Sequence, residues 1–94
     1  MHERRSVKIR GVVQGVFFRE TVRRFALRYG VHGFVRNVGF DALEIEVEGE
    51  PHLVEAFITD VLAHPPAAAR IEEVRSNSVP AQGDVGFSVA PSVP

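Results

Sequence analysis

The chain contains no cysteine. That excludes disulfides, a thiolate nucleophile and any cysteine-ligated zinc or iron–sulfur centre, so packing alone must hold the fold. No apolar run approaches the roughly 20 residues needed to cross a bilayer. The start, Met1-His2-Glu3-Arg4-Arg5, is not followed by the apolar stretch of a signal peptide. No membrane partner is expected, and the cytoplasm is the expected location. Neither charge sign is in excess: 11 basic residues against 12 acidic give a formal net charge of −1, which argues against a strongly basic nucleic-acid module. Lysine is nearly absent too, with Lys8 the only one among those basic residues. His2, His32, His52 and His64 are scattered without metal-ligand spacing, and Asp41, Asp60 and Asp84 form no magnesium motif. No metal or cofactor is expected.

What is present is 94 residues, 45% hydrophobic and 24% charged. These make one small globular domain over residues 1–94, able to bury roughly 60–70% of its unfolded surface. Its core is expected over about residues 6–89. The Pro-rich tail Ala90-Pro91-Ser92-Val93-Pro94 lacks periodicity and is expected to fray. The protein is expected to be monomeric.

Hydrophobic periodicity orders the elements. Val7, Ile9, Gly11 and Val13 alternate with Lys8, Arg10 and Val12 as a strand. From Glu20 the period changes: Val22, Phe25, Ala26 and Tyr29 fall at i, i+3, i+4 and i+7, the stripe of an amphipathic helix capped by Gly30. A strand over about 31–37 follows, then a turn at Val38-Gly39-Phe40-Asp41, then Leu43, Ile45 and Val47 alternating with Glu44, Glu46 and Glu48. Those three glutamates read as a solvated sheet face. Pro51 opens a second helix with the stripe Val54, Phe57, Ile58 and Val61, and Pro65-Pro66 ends it. A strand over about 70–79 and a short one marked by Val85, Phe87 and Val89 complete the chain. The order β-α-β-β-α-β plus a short last strand predicts an α+β, ferredoxin-like split βαβ fold: an antiparallel sheet with two helices on one face. In that topology the ends of the first two strands share one edge, so loop 14–19 and Arg36-Asn37 are predicted neighbours.

The loop runs from a strand directly into a helix. Amides at a helix start lack intrahelical partners and carry the positive end of the dipole, which suits an anion. Gly15 allows a tight turn and a close approach to the main chain. Arg19 adds a planar guanidinium with paired donors. These are the parts of a phosphate site, although a plain turn followed by a solvated arginine has the same composition. Phe18 is expected to pack inward and Phe17 to line the mouth of the site.

The stretch Gly11-Val12-Val13-Gln14-Gly15-Val16-Phe17-Phe18-Arg19 resembles the acylphosphatase signature G-x-V-Q-G-V-x-F-R at every specified position. Gly33-Phe34-Val35-Arg36-Asn37 is similar to the family's second block, G-x-V-x-N. The resemblance implies hydrolysis of the carboxyl–phosphate bond of acyl phosphates to a carboxylate and inorganic phosphate, on the ferredoxin-like fold and without metal. It also implies that Arg19 binds the phosphate with the amides of Gly15, Val16, Phe17 and Phe18, and that Asn37 positions the attacking water. The chain departs from the family after Asn37: Val38-Gly39-Phe40-Asp41-Ala42 replaces a polar turn with Asp-Gly.

Two other readings share the element order. An RNA-recognition module would need exposed aromatic and basic residues where the third strand carries Glu44, Glu46 and Glu48, which repel a polyanion. The segment His64-Pro65-Pro66-Ala67-Ala68-Ala69-Arg70-Ile71-Glu72-Glu73-Val74 resembles the acylphosphatase-like N-terminal domains of hydrogenase-maturation carbamoyltransferases, which implies an excised domain acting on carbamoyl phosphate. The Met1 start and the unmatched tail favour a free-standing protein over an excised domain.

Overall fold

A computed structural model describes residues 2–94; Met1, counted in the expected domain, lies outside them. The elements are β1 (Glu3–Val12), α1 (Phe18–Tyr29), β2 (His32–Val38), β3 (Ala42–Gly49), α2 (Pro51–Ala63), β4 (Arg70–Val79) and β5 (Phe87–Val89). They form one sheet in the order β4-β1-β3-β2-β5. The four long strands are antiparallel neighbours, whereas β5 runs parallel to β2, so the sheet is mixed rather than antiparallel throughout. The physical reason is the connection 80–86, which carries the chain from the β4 edge to the opposite edge and delivers β5 in the direction of β2.

Both helices cover the same face of this sheet. Val7 and Ile9 of β1, Val35 of β2 and Leu43, Ile45 and Val47 of β3 meet Phe18, Val22 and Ala26 of α1 and Val54, Phe57, Ile58 and Val61 of α2 in one buried cluster. The α2 stripe is the predicted one. In α1, Phe25 and Tyr29 are only partly covered, and Phe18 supplies the bulk instead. The helix starts two residues before the predicted Glu20, because Phe18 anchors its first turn in the core. Gly30 ends it in the left-handed conformation, its amide donating to the carbonyls of Ala26 and Leu27. Among the described residues no helix is long and apolar enough to cross a membrane.

Three expectations are corrected. Val85 does not belong to the last strand; it is 95% exposed between Gly83 and Gly86, both at positive φ, in a turn that lifts it off the sheet. The tail does not fray: the Ala90 amide donates to the Val35 carbonyl (2.9 Å), and Val93 bridges Val38 in parallel. These are backbone bonds to a strand edge, which side-chain periodicity does not reveal. The glutamates of β3 are not a solvated face. Glu44 binds Arg36 (2.6 Å), Glu46 binds Arg4 (2.8 Å), and Glu48 is buried.

Gly11, the first glycine of the motif, has a structural role. It sits at a register shift between β1 and β4, and a Cβ there would lie 2.1 Å from the Arg70 carbonyl oxygen. The backbones approach so closely that no side chain fits.

Candidate active site

β3 fixes the position of the site. Ala42 pairs with Arg10 near the end of β1 and with Val38 at the end of β2, so both strands finish at one edge. The loop after β1 and Asn37 are therefore at the same end of the sheet, as the topology predicts. Gln14 fastens the two together: its Nε2 lies 2.9 Å from the Ala42 carbonyl oxygen and 3.3 and 3.2 Å from those of Val38 and Gly39. The atypical turn is thus held to the loop by one side chain.

The loop backbone has the shape of an anion cradle. Gly15 (φ 73°) and Phe17 (φ 64°, ψ 22°) are left-handed, while Val16 between them and Phe18 after them are not. Such alternation turns successive amides toward a common concavity. Phe17 is the only non-glycine residue at positive φ among those described. This conformation costs on the order of 1–3 kcal/mol and persists where the surroundings impose it, commonly at functional sites. Here the Phe17 carbonyl accepts from the Thr21 amide (3.1 Å) and from the Thr21 hydroxyl (3.0 Å). The helix has no side-chain cap, and among the described residues no backbone amide from Gly15 to Arg19 donates to a backbone acceptor.

A cavity of about 380 Å³ opens over this loop, lined by Val13, Gly15, Phe17, Phe18, Arg19, Glu20 and Val89. Arg19 is half-buried there and makes no ion pair among the described residues. The neighbouring Glu20 is occupied elsewhere. Its carboxylate accepts from Arg23 Nε (2.8 Å) and Nη2 (2.7 Å) and from Arg24 Nε (3.3 Å). The bond from Arg23 is the main cause holding its carboxyl at about 2, so it is ionised throughout the neutral range. Three guanidinium groups against one carboxylate leave the start of α1 positive, and Glu20 is taken up by Arg23 and Arg24 rather than by Arg19.

Asn37 occupies the same helix-covered face of β2 as Val35, two residues on. Val35 is the partner of Val89, which lines the cavity. Asn37 is 9% exposed, and its buried Oδ1 has no hydrogen-bond partner among the described residues. An unpaired buried acceptor costs about 1–3 kcal/mol and calls for a specific cause. Its backbone is held firmly: the Val93 amide donates to the Asn37 carbonyl, and the Gly39 amide donates to the Val93 carbonyl, both at 3.0 Å.

Of the six residues expected at the site, Gly15, Phe17, Phe18 and Arg19 line the cavity, Val16 turns its side chain toward the core, and Asn37 stands at the cavity's end of the sheet outside the lining. Phe18 packs inward and Phe17 outward, as expected. Sequence reasoning assigned no task to Gln14, to Val93 or to the Glu20–Arg23–Arg24 cluster. The last had a readable signal, since i, i+3 and i, i+4 pairs share a helix face. Among the described residues no group of His, Asp and Glu side chains converges as a metal site.

The acylphosphatase family profile matches residues 5–89. An acylphosphatase of Aeropyrum pernix is 44% identical over 88 residues, covering 92% of this chain and 86% of its own. Among solved structures, full-length HypF in a phosphate- and nucleotide-bound form superposes with a TM-score of 0.94 at 35% identity, over 99% of this chain but only 12% of that longer one. An acylphosphatase from Coxiella burnetii superposes with a TM-score of 0.87 at 27% identity, over 95% and 93% of the two chains. A profile spanning both motif blocks, and relatives matched over nearly their whole length, establish that this chain belongs to the acylphosphatase family.

Proposed function

We propose that the protein hydrolyses acyl phosphates by direct attack of water on phosphorus, with Arg19, Asn37 and the amides of Gly15, Val16, Phe17 and Phe18 as its working parts. The observation that carries this reading is the cradle itself: a strained helix start without a side-chain cap, whose amides find no partner among the described residues, beside an arginine that makes no ion pair among them. The phosphoryl oxygens accept from those amides and from the Arg19 guanidinium. A phosphoryl transition state needs mainly positioning and charge stabilisation, and these donors supply both. The water donates a hydrogen bond to the Asn37 Oδ1, which directs its lone pair to phosphorus. The P–O bond to the acyl group breaks as the new P–O bond forms, and the water's proton passes to a phosphoryl oxygen. The products are a carboxylate and dihydrogen phosphate. A carboxylic acid has a pKa of roughly 4, so the leaving group departs without a general acid. Asn37 is neutral and orients water without repelling the dianion.

Steady-state hydrolysis of acetyl phosphate with and without EDTA tests the reading. The expected result is unchanged turnover with the chelator and competitive inhibition by inorganic phosphate; no turnover, or no inhibition at high phosphate, refutes it. Asn37→Ala separates the two roles. It is expected to lower kcat by about 10²-fold or more, in line with the loss of one well-placed polar group, while the inhibition constant for phosphate changes little. Equal losses in both would place Asn37 in phosphate binding instead.

The resemblance to the N-terminal domains of hydrogenase-maturation carbamoyltransferases implies a second reading on the same residues, with carbamoyl as the acyl group. A kcat/KM for carbamoyl phosphate well above that for acetyl phosphate would favour it.

A further inference from the structure

We propose that Phe17, together with Val89, forms a seat for the acyl group and tunes this protein to acyl phosphates whose acyl part is bulky, apolar and uncharged. The inference rests on the proposed hydrolysis and concerns what lies beyond the phosphoryl group. The cavity volume of about 380 Å³ equals roughly a dozen water molecules at about 30 Å³ each, far more than a phosphoryl group fills. The donors are on one part of the lining, at Gly15 and Arg19. Apart from Glu20 the remainder is apolar, and of its four residues Phe17 and Val89 are exposed while Val13 and Phe18 are 1% exposed.

Phe17 stands out among these. Phe18 supplies the aromatic ring that the core needs at this point, at 1% exposure, whereas the Phe17 ring is 85% exposed. The left-handed backbone that forms the cradle also turns this ring outward, over the cavity rather than into the helix interface. A large ring left in water gains from any apolar surface laid against it. Val89, itself 41% exposed, supplies a second apolar wall from β5. The lining has one acidic group, Glu20, so an acyl chain with its own carboxylate would meet like charge there.

The experiment compares kcat/KM for acetyl, benzoyl and succinyl phosphates in the wild type, Phe17→Leu and Phe17→Gly. Glycine is at home at φ 64°, so this variant removes the ring without adding strain to the loop. The benzoyl-to-acetyl ratio is expected to fall about tenfold in Phe17→Gly and by less in Phe17→Leu, the scale of a lost apolar contact in a specificity pocket. Because the ratio is taken within each variant, any change in phosphate handling common to both substrates cancels. Wild-type kcat/KM for succinyl phosphate is expected to be the lowest of the three. A benzoyl-to-acetyl ratio unchanged in Phe17→Gly, or succinyl phosphate processed as well as benzoyl phosphate, overturns the proposal while leaving the hydrolysis itself intact. A wild type inactive on all three overturns the hydrolysis as well.

Discussion

Arg19→Ala is expected to lower kcat/KM for acetyl phosphate by about three orders of magnitude and to abolish competitive inhibition by phosphate. The size follows from what an arginine contributes at a phosphoryl centre, about 10³–10⁵ in rate, with the amides of the cradle still present to limit the loss. The direction follows from the surroundings. Arg23 and Arg24 are the nearest alternatives along α1, but both are bound to Glu20. Drawing either of them into the cavity would leave the Glu20 carboxylate uncompensated on its lining. Neither of these two guanidinium groups is therefore free to substitute. Arg19→Lys keeps the charge but loses the planar pair of donors, so it is expected to recover phosphate inhibition in part and turnover hardly at all. Initial rates and phosphate titrations on the three proteins decide the matter. An Arg19→Ala enzyme within tenfold of the wild type would remove Arg19 from the mechanism and leave the amides as the sole anion site.

That site was legible in the chain because its parts are local. The change of hydrophobic period near residue 20, a glycine before it and an arginine at the change are all within a few residues, and the topology then brings Asn37 to the same edge without any side-chain detail. Other features were hidden for reasons of distance. Glu44, Glu46 and Glu48 alternate like a solvated face, and nothing nearby announces Arg4, which is 42 positions from Glu46. The tail is ordered by main-chain bonds to β2, which are blind to residue type. The left-handed Phe17 could not be anticipated either, since local preference places glycine at such a position. Tertiary demand overrides that preference here: Phe18 has to enter the core and Thr21 takes the Phe17 carbonyl, so the turn is set from both sides.

The largest loss of stability is expected at the opposite end of the sheet, at Arg4. This arginine is 2% exposed, with Nε 2.8 Å from Glu46, Nη1 3.1 Å from Glu48 and Nη2 3.0 Å from Asp84. Glu48, whose side chain is 3% exposed, also accepts from the amides of Gln82 (2.7 Å) and Gly83 (2.9 Å). One cation thus holds three carboxylates and, through Glu48 and Asp84, the connection that carries the chain to β5. Removing one partner of a buried ionic cluster leaves the others without compensation, at a cost of about 3–5 kcal/mol. Arg4→Met should therefore lower Tm by at least about 12 °C, at about 4–8 °C per kcal/mol for a domain of this size. Adding Glu48→Gln should restore part of that loss, because the buried negative charge disappears while an acceptor for the two amides remains. The same cluster sets an acid limit. The Glu48 carboxyl is held below its ordinary value, first by the Gln82 amide and then by Gly83 and Arg4. A carboxyl lowered on folding contributes stability above its unfolded pKa, roughly 4.3, and that contribution is lost as pH falls through the folded value. Wild-type Tm should hold from pH 7 to about 5 and then decline, and the decline should be shallower in Arg4→Met, whose Glu48 lacks one of the groups that lower it. Melting curves at pH 7 and pH 3.5 measure both effects. An Arg4→Met protein that melts within a few degrees of the wild type would mean that β5, and with it the Val89 wall and the Val93 hold on Asn37, is kept in place by the core alone.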